Sequence, residues 1–174
     1  MEEVDESEND GLMQLVGFGI GRERFGVDIL TVQEIIRSTE VTPVPNSPLF
    51  IEGVINLRGN IIPVIDLRKR LNLYDVDKAL EKNWILILNI GNRVVGFVVD
   101  MVNDVFKVAE DDVDPPPGII VAGLENQYIQ GVCEIDGSLL IILDFESVLF
   151  NEEYYALKDM DFDEIKLVEE VRVE

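Results

Sequence analysis

The chain has 174 residues, 35 of them acidic and 14 basic, with no histidine and a formal charge of −21. Such a polyanion is repelled by nucleic-acid phosphates and by anionic membrane surfaces, which argues against binding either. The missing histidine removes Ser-His-Asp triads and His-based metal centres, and a single cysteine, Cys133, removes an internal disulfide and any CxxC motif.

An apolar fraction of 47% supplies a core for one domain or two small lobes. The longest apolar runs are of strand length and broken by Gly, Asn or Asp, so none spans a bilayer. The N-terminus, MEEVDESEND, lacks the basic and apolar regions of a signal peptide, and a cytosolic protein is expected. The charge is −6 over residues 1–10, −9 over 11–150 and −6 over 151–174. Acidic ends of this kind read as solubilising.

Residues 1–12 are polar and without periodicity, and are expected to be disordered. Gln14 to Ile20 reads as a strand, Gly21-Arg22-Glu23-Arg24 as a turn, and Phe25 to Val27 as the return strand. From Asp28 to Ile36 the period changes. Ile29, Val32, Ile35 and Ile36 are spaced by three and four, which predicts a short helical turn capped by Asp28 and packed into the core. Pro43, Pro45 and Pro48 make Val41 to Pro48 a loop, and Leu49 to Glu52 reads as one helical turn.

Gly53 to Leu71, GVINLRGNIIPVIDLRKRL, is a hairpin. Val54, Ile55 and Leu57 lead in, Arg58-Gly59-Asn60 turns, and Ile61, Ile62, Val64, Ile65 and Leu67 lead out. Pro63 cannot donate to a ladder, so it belongs at an edge or bulge. Arg68-Lys69-Arg70, the only concentrated basic run, reads as a solvated helix end. Asn72 to Asn83 is a polar connector, and the two lobes are expected to meet near residues 72–83, with exchange of strands between them allowed.

Trp84 to Ile90 opens the second half, Asn92-Arg93 turns, and Val94 to Asp100 returns. Val102 to Val108 mirrors the earlier apolar turn. Glu110 to Gly118, with four acids and three consecutive prolines, is a loop. Ile119 to Tyr128 carries no clear pattern. Gln130 to Phe145 is a second long hairpin, turning at Asp136-Gly137. Glu146 to Leu157 reads as a helix burying Phe150, Tyr154 and Leu157, and residues 158–174 as a loosely docked helix or a tail.

The halves repeat. At an offset of 78 residues Gly53 meets Gly131, Val54 meets Val132, Gly59 meets Gly137 and Asp66 meets Asp144. At an offset of 70, Ile20-Gly21 meets Ile90-Gly91, Gly26 meets Gly96, Val32 meets Val102 and Ile35 meets Val105. Two matches in the same order indicate an internal duplication. Short strands with glycine-containing turns then predict an all-β protein with a few short helices, built as two small barrel lobes with a seam between them.

Catalytic chemistry is hard to assemble from these residues. Gly17, Gly19 and Gly21 alternate within a strand and turn, and do not open a helix as a nucleotide fingerprint would. Asp66 and Asp144 occupy matching places and would face each other across a pseudo-twofold like a proton-sharing dyad. Their neighbours lack the small Ser/Thr-Gly residues that present such acids, and an Asp closing a strand more often caps the next helix. Residues Glu110 to Asp114 lack the spacing of a calcium loop. No enzyme, cofactor or metal site is expected, and a binding module remains. Arg58 stands out: most turn arginines are merely solvated, but one at the lip of an apolar groove forks onto carboxylates or carbonyls.

Four segments, FGVDILTVQEII, TPVPNSPLFIEGVINLRGNIIPVIDLRKRL, ILNIGNRVVGFVVDMVNDV and GVCEIDGSLLIILDFESVL, resemble the CheW family of chemotaxis coupling proteins. The resemblance covers roughly residues 13–153 and leaves the acidic 154–174 without a counterpart. It implies a pair of five-stranded SH3-like β-barrels. It also implies a non-enzymatic adaptor that links the cytoplasmic tip of methyl-accepting chemotaxis receptors to the regulatory domain of the histidine kinase CheA, in arrays on the inner face of the membrane. Carried over by motif, the receptor side comprises Ile29, Val32, Gly53, Arg58, Gly59, Ile85, Val102 and Val105. The kinase side comprises Glu34, Ile35 and Val41. A receptor helix would lay its apolar side in the groove.

The coupling portion of a CheV-like protein, or the regulatory portion of a CheA-like kinase, is the alternative within this resemblance. A chain that starts at Met1 and lacks receiver and kinase motifs argues against both. A small barrel that binds an apolar ligand is a third reading, but barrels of this size are filled by their own side chains.

Overall fold

The computed structural model describes residues 11–73, 84–116 and 126–149. Among the described residues ten strands carry the fold: β1 (Leu12–Ile20), β2 (Glu23–Asp28), β3 (Val32–Arg37), β4 (Ile51–Leu57), β5 (Asn60–Asp66), β6 (Trp84–Ile90), β7 (Arg93–Val99), β8 (Met101–Ala109), β9 (Ile129–Ile135) and β10 (Ser138–Leu143). Two short helices, α1 (Leu67–Arg70) and α2 (Phe145–Leu149), come after β5 and β10. The strands form two five-stranded sheets, β8-β1-β2-β10-β9 and β3-β6-β7-β5-β4.

Strands β1–β5 and β6–β10 are the two sequence repeats, yet neither repeat forms a sheet alone. Each sheet combines the first two strands of one repeat with the last three of the other. The parallel joins sit at equivalent positions: Ile142 opposes Gly26 in one sheet and Val64 opposes Gly96 in the other. Small repeat-specific contacts obey the same symmetry. The Asp66 N–H donates to the Phe50 carbonyl at 2.8 Å, and the Asp144 N–H to the Tyr128 carbonyl at 2.9 Å. Thr42 bridges Val54, and Asp114 bridges Val132.

Gly53 and Gly131 explain these last two bridges. A Cβ on Gly53 would lie 2.0 Å from the Thr42 carbonyl oxygen, and one on Gly131 would lie 2.9 Å from that of Asp114. Only glycine lets the preceding loop approach so closely. Pro63 also finds a tolerant place: the ladder from β5 to β7 begins at Val64, one residue later, so β5 is paired only to β4 at the proline.

The core has three layers. Between the sheets Phe18, Phe25, Phe97 and Phe145 pack with ring centroids 4.9 to 6.2 Å apart, surrounded by aliphatic side chains of both sheets. Ile55, Ile62, Val64, Ile85, Ile87 and Val98 fill the far face of the second sheet. Leu15, Val108, Cys133, Leu140 and Ile142 fill that of the first. Cys133 is accordingly a core residue, and burial, reinforced by Asp112 and Asp114, pushes its thiol pKa up.

Four local expectations are corrected. Residues 28–36 are a single 3-10 turn, Ile29–Thr31, and then strand β3. Asp28 does cap that turn, accepting the Leu30 N–H at 2.9 Å. The spacing of three was misleading because the alternation that matters starts at Val32, where Val32, Glu34 and Ile36 turn inward and Gln33, Ile35 and Arg37 outward. Val102 to Val108 likewise belongs to strand β8. Leu49–Phe50 is a turn closed by the Ile51 N–H on the Pro48 carbonyl, and β4 starts at Ile51.

The basic run is not a solvated helix end. Arg68 pairs with Asp100 at 3.0 Å and Lys69 with Glu52 at 3.2 Å. Arg70 is 5% exposed, lies over the rings of Phe50 and Tyr128, and donates to the Val148 carbonyl at 2.9 Å. The hydrophobic seam between the halves recruits its long stem and flat head through the rings of Phe50 and Tyr128, which are repeat equivalents. Most of 72–83, all of 1–10 and 150–174, and the predicted burial of Phe150, Tyr154 and Leu157 lie outside the described residues.

Candidate partner-binding surface

The turn from β4 to β5 has Arg58 at φ +50° and Gly59 at φ +85°. Two consecutive positive angles define the two-residue hairpin turn that matches strand twist. The Asn56 side-chain oxygen accepts the Gly59 N–H at 2.8 Å and fixes the turn. Arg58 thereby stands off the hairpin end, with 68% of its side chain exposed.

Its guanidinium forks onto Glu34 of β3: Nη1 donates to Oε2 at 2.8 Å and Nη2 to Oε1. Strands β3 and β4 are opposite edges of the second sheet, and this pair links the β4–β5 turn to β3. The hydrogen bonds from Arg58, then its charge, hold the Glu34 carboxyl below its ordinary pKa, while Glu34 raises that of Arg58. A depressed carboxylate keeps its partner at neutral pH and loses it as pH falls through the depressed value. Acidification below the ordinary glutamate range should therefore free Arg58, seen as sharpening and shift of its guanidinium proton resonances.

The other residues singled out from the sequence fall into three groups. Gly59 lies at the turn beside Arg58, and Ile35 lies next to Glu34 on the β3 edge, 37% exposed. Ile29, Val32 and Val102 are half-buried against the inter-sheet core, Val41 is half-buried against the far-face cluster of the second sheet, and Val105 is 50% exposed on β8 of the other sheet. Ile29 also lines a cleft of about 630 Å³ with Leu12, Met13, Leu30 and Lys107. Ile85 and Gly53 are different. Ile85 is fully buried among Ile55, Ile62 and Val64, and Gly53 is buried under Thr42. Neither offers a side chain to a partner, so both shape the surface from beneath. Gly53's place in the motif is accounted for by chain packing.

Leu30 and Leu49 carry no signal of their own in the sequence, yet they are 90% and 89% exposed. Each falls in a stretch that reads as a packed helical turn. Asp66 and Asp144, the only candidate dyad, are caps. Asp66 accepts the Arg68 N–H at 3.0 Å, and Asp144 accepts the Ser147 N–H at 3.2 Å and its hydroxyl at 3.0 Å.

A family model described as the CheW-like domain matches residues 14–153. The chain belongs to the CheW family. The CheW of Treponema pallidum is 36% identical over 155 residues, covering 87% of this chain and 91% of that protein. The CheW of Klebsiella aerogenes is 42% identical over 136 residues, covering 78% and 81%. Among solved structures the scaffolding protein TtCheW from Thermoanaerobacter tengcongensis superposes with a TM-score of 0.73 at 33% identity, covering 81% of this chain and 94% of that one. The all-β architecture of two five-stranded units agrees with this CheW neighbour, and the family is one of non-enzymatic scaffolds. No helix among the described residues is long and apolar enough to cross a membrane.

Arg58→Ala removes an exposed side chain and an exposed ion pair, a class of contact that contributes little to stability. The expected result is an unchanged melting curve together with weakened partner binding. A variant that unfolds early would make Arg58 structural.

Proposed function

We propose that this chain is a CheW-type adaptor coupling methyl-accepting chemotaxis receptors to the regulatory domain of the histidine kinase CheA, at receptor arrays on the cytoplasmic side of the membrane. The observation that carries the reading is the fork between Arg58 and Glu34. It joins a residue assigned by motif to the receptor side with one assigned to the kinase side. Both stand on the rim of one sheet, with exposed Ile35 beside them. A planar guanidinium that can exchange one carboxylate for another suits a contact that forms and dissolves. Ile29, Val32, Val102 and Val105 supply the apolar side of the receptor contact, and Val41 supports the kinase edge.

Calorimetric titration against the CheA regulatory domain from the same organism tests this. Saturable one-to-one binding is expected, lost in Ile35→Asp and in Glu34→Lys. The second variant sets two like charges side by side at Arg58. Absence of binding by the folded wild-type chain would leave the shared fold without the shared function.

A further inference from the structure

The two long hairpins turn on residues that the repeat places in register, Arg58-Gly59 in the first and Asp136-Gly137 in the second, 78 residues apart. Their backbones agree. Arg58 and Asp136 have φ of +50° and +52°, and Gly59 and Gly137 have +85° and +78°. Each turn follows the last pair of its ladder, Leu57 with Asn60 and Ile135 with Ser138. The occupants differ. Asp-Gly is a preferred sequence for this turn, because Asp enters the left-handed region readily. Arg does not: its Cβ crowds the following carbonyl there, and it has no short polar group to bond the local backbone. Arg58 therefore stands where its backbone is disfavoured.

The first turn also has a lock that the second lacks. The Asn56 side-chain oxygen accepts the Gly59 N–H at 2.8 Å. The repeat equivalent of Asn56 is Glu134, and among the described residues no such bond joins Glu134 to Gly137. A turn of this shape thus forms without a lock where its first residue is Asp. We propose that Asn56 is a positioning residue for Arg58. Its bond reaches past Leu57 and Arg58 to fix the peptide unit between Arg58 and Gly59, and with it the direction in which the Arg58 side chain leaves the turn. It offsets the cost of an arginine in the left-handed region and keeps the guanidinium where it meets Glu34. Glu34 cannot do this alone, since it holds only the far end of a flexible stem that is 68% exposed. The action of Asn56 on Arg58 stands on the turn geometry, whereas its effect on a receptor rests on the adaptor reading.

The test uses the full chain with Asn56→Ala, which removes the acceptor, and Asn56→Asp, which keeps one in the same place. The first readout is the pH at which the guanidinium resonances of Arg58 report release from Glu34. Without the lock the pair forms for less of the time, so the Glu34 carboxyl is held less far below its ordinary pKa. Release should therefore move to higher pH in Asn56→Ala and stay at the parent value in Asn56→Asp. A bond that merely stabilised the hairpin would lower the melting temperature and leave this pH unchanged in the folded protein. The second readout is affinity for a receptor-tip fragment. It should fall about three- to tenfold in Asn56→Ala, the range set by one exposed hydrogen bond, and recover in Asn56→Asp. Adding Asn56→Ala to Arg58→Ala should change the affinity no further. An unchanged release pH in Asn56→Ala overturns the proposal, and so does an equal loss of affinity in the Arg58→Ala background. If the release pH moves as expected and neither parent nor variant binds the fragment, the positioning of Arg58 stands and the adaptor reading falls.

Discussion

Gly53→Ala should cost about 4 kcal/mol, a large share of the stability of a domain this size. Two effects add. Gly53 sits at φ +147°, where an L side chain is strained by about 1–3 kcal/mol. The new Cβ would also fall 2.0 Å from the Thr42 carbonyl oxygen, a backbone atom that cannot swing aside. Relief requires breaking both hydrogen bonds of the bridge from Thr42 to Val54, each 2.9 Å long, or shifting β4 against its neighbour. Overpacking of this kind costs about 1–3 kcal/mol. Urea unfolding tracked by the fluorescence of the single tryptophan, Trp84, measures it. Gly59→Ala is the control: it has positive φ but nothing within 4 Å of the added atom, so only the conformational part, about 1 kcal/mol, should appear. If both variants unfold at the same denaturant concentration, the close approach of Thr42 is not present in solution. The experiment also separates two meanings of the motif. A folded Gly53→Ala protein that has lost receptor binding would restore Gly53 to the contact surface, against its packing role.

Much of this was legible in the sequence, and the reasons differ by element. Hairpin turns were legible because Gly59 and Gly137 are local signals: positive φ is a property of one residue. The duplication was legible because matched glycines and aspartates keep fixed places, and each recurs in the same structural role. Strand exchange between the repeats was not readable as a pattern, since it depends on which partner β1 and β2 find, and periodicity says nothing of partners. The helical reading of Asp28 to Ile36 failed for a related reason. Spacings of three and four occur in a strand that begins with a turn and carries a register shift between Val32 and Glu34. Arg70 was misread because a basic run ordinarily seeks water, and only the seam supplies Phe50, Tyr128 and the Val148 carbonyl to hold it. At the candidate site Arg58 was picked out by its place in the turn and Glu34 by resemblance, but their pairing spans 24 residues and leaves no local trace.

Asp100→Ala should be nearly as costly, about 3 kcal/mol. Asp100 is 8% exposed and lies between β7 of one sheet and β8 of the other, at a place where the chain passes between the two sheets. One carboxylate oxygen accepts the Gly21 N–H at 2.6 Å, and both accept from Arg68, at 3.0 and 3.3 Å. Its own N–H donates to the Gly19 carbonyl at 3.0 Å. One residue therefore ties the β1–β2 turn of the first sheet to α1 of the second. Removing one member of a buried pair costs about 3–5 kcal/mol, mostly for the partner left unpaired. The lower end applies because a quarter of the Arg68 side chain reaches solvent. Asp100→Asn keeps an acceptor for Gly21 and gives up only the charge, so it should cost roughly half as much. Arg68→Met with Asp100→Leu removes both charges at once and should recover most of the loss. The double-mutant cycle then isolates the coupling between the two. A cycle that closes with no coupling would mean that Gly21, and not Arg68, is what Asp100 is there to hold. The polar tie at Asp100 would then run to the β1–β2 turn alone, and Arg68 would be free to answer to a partner.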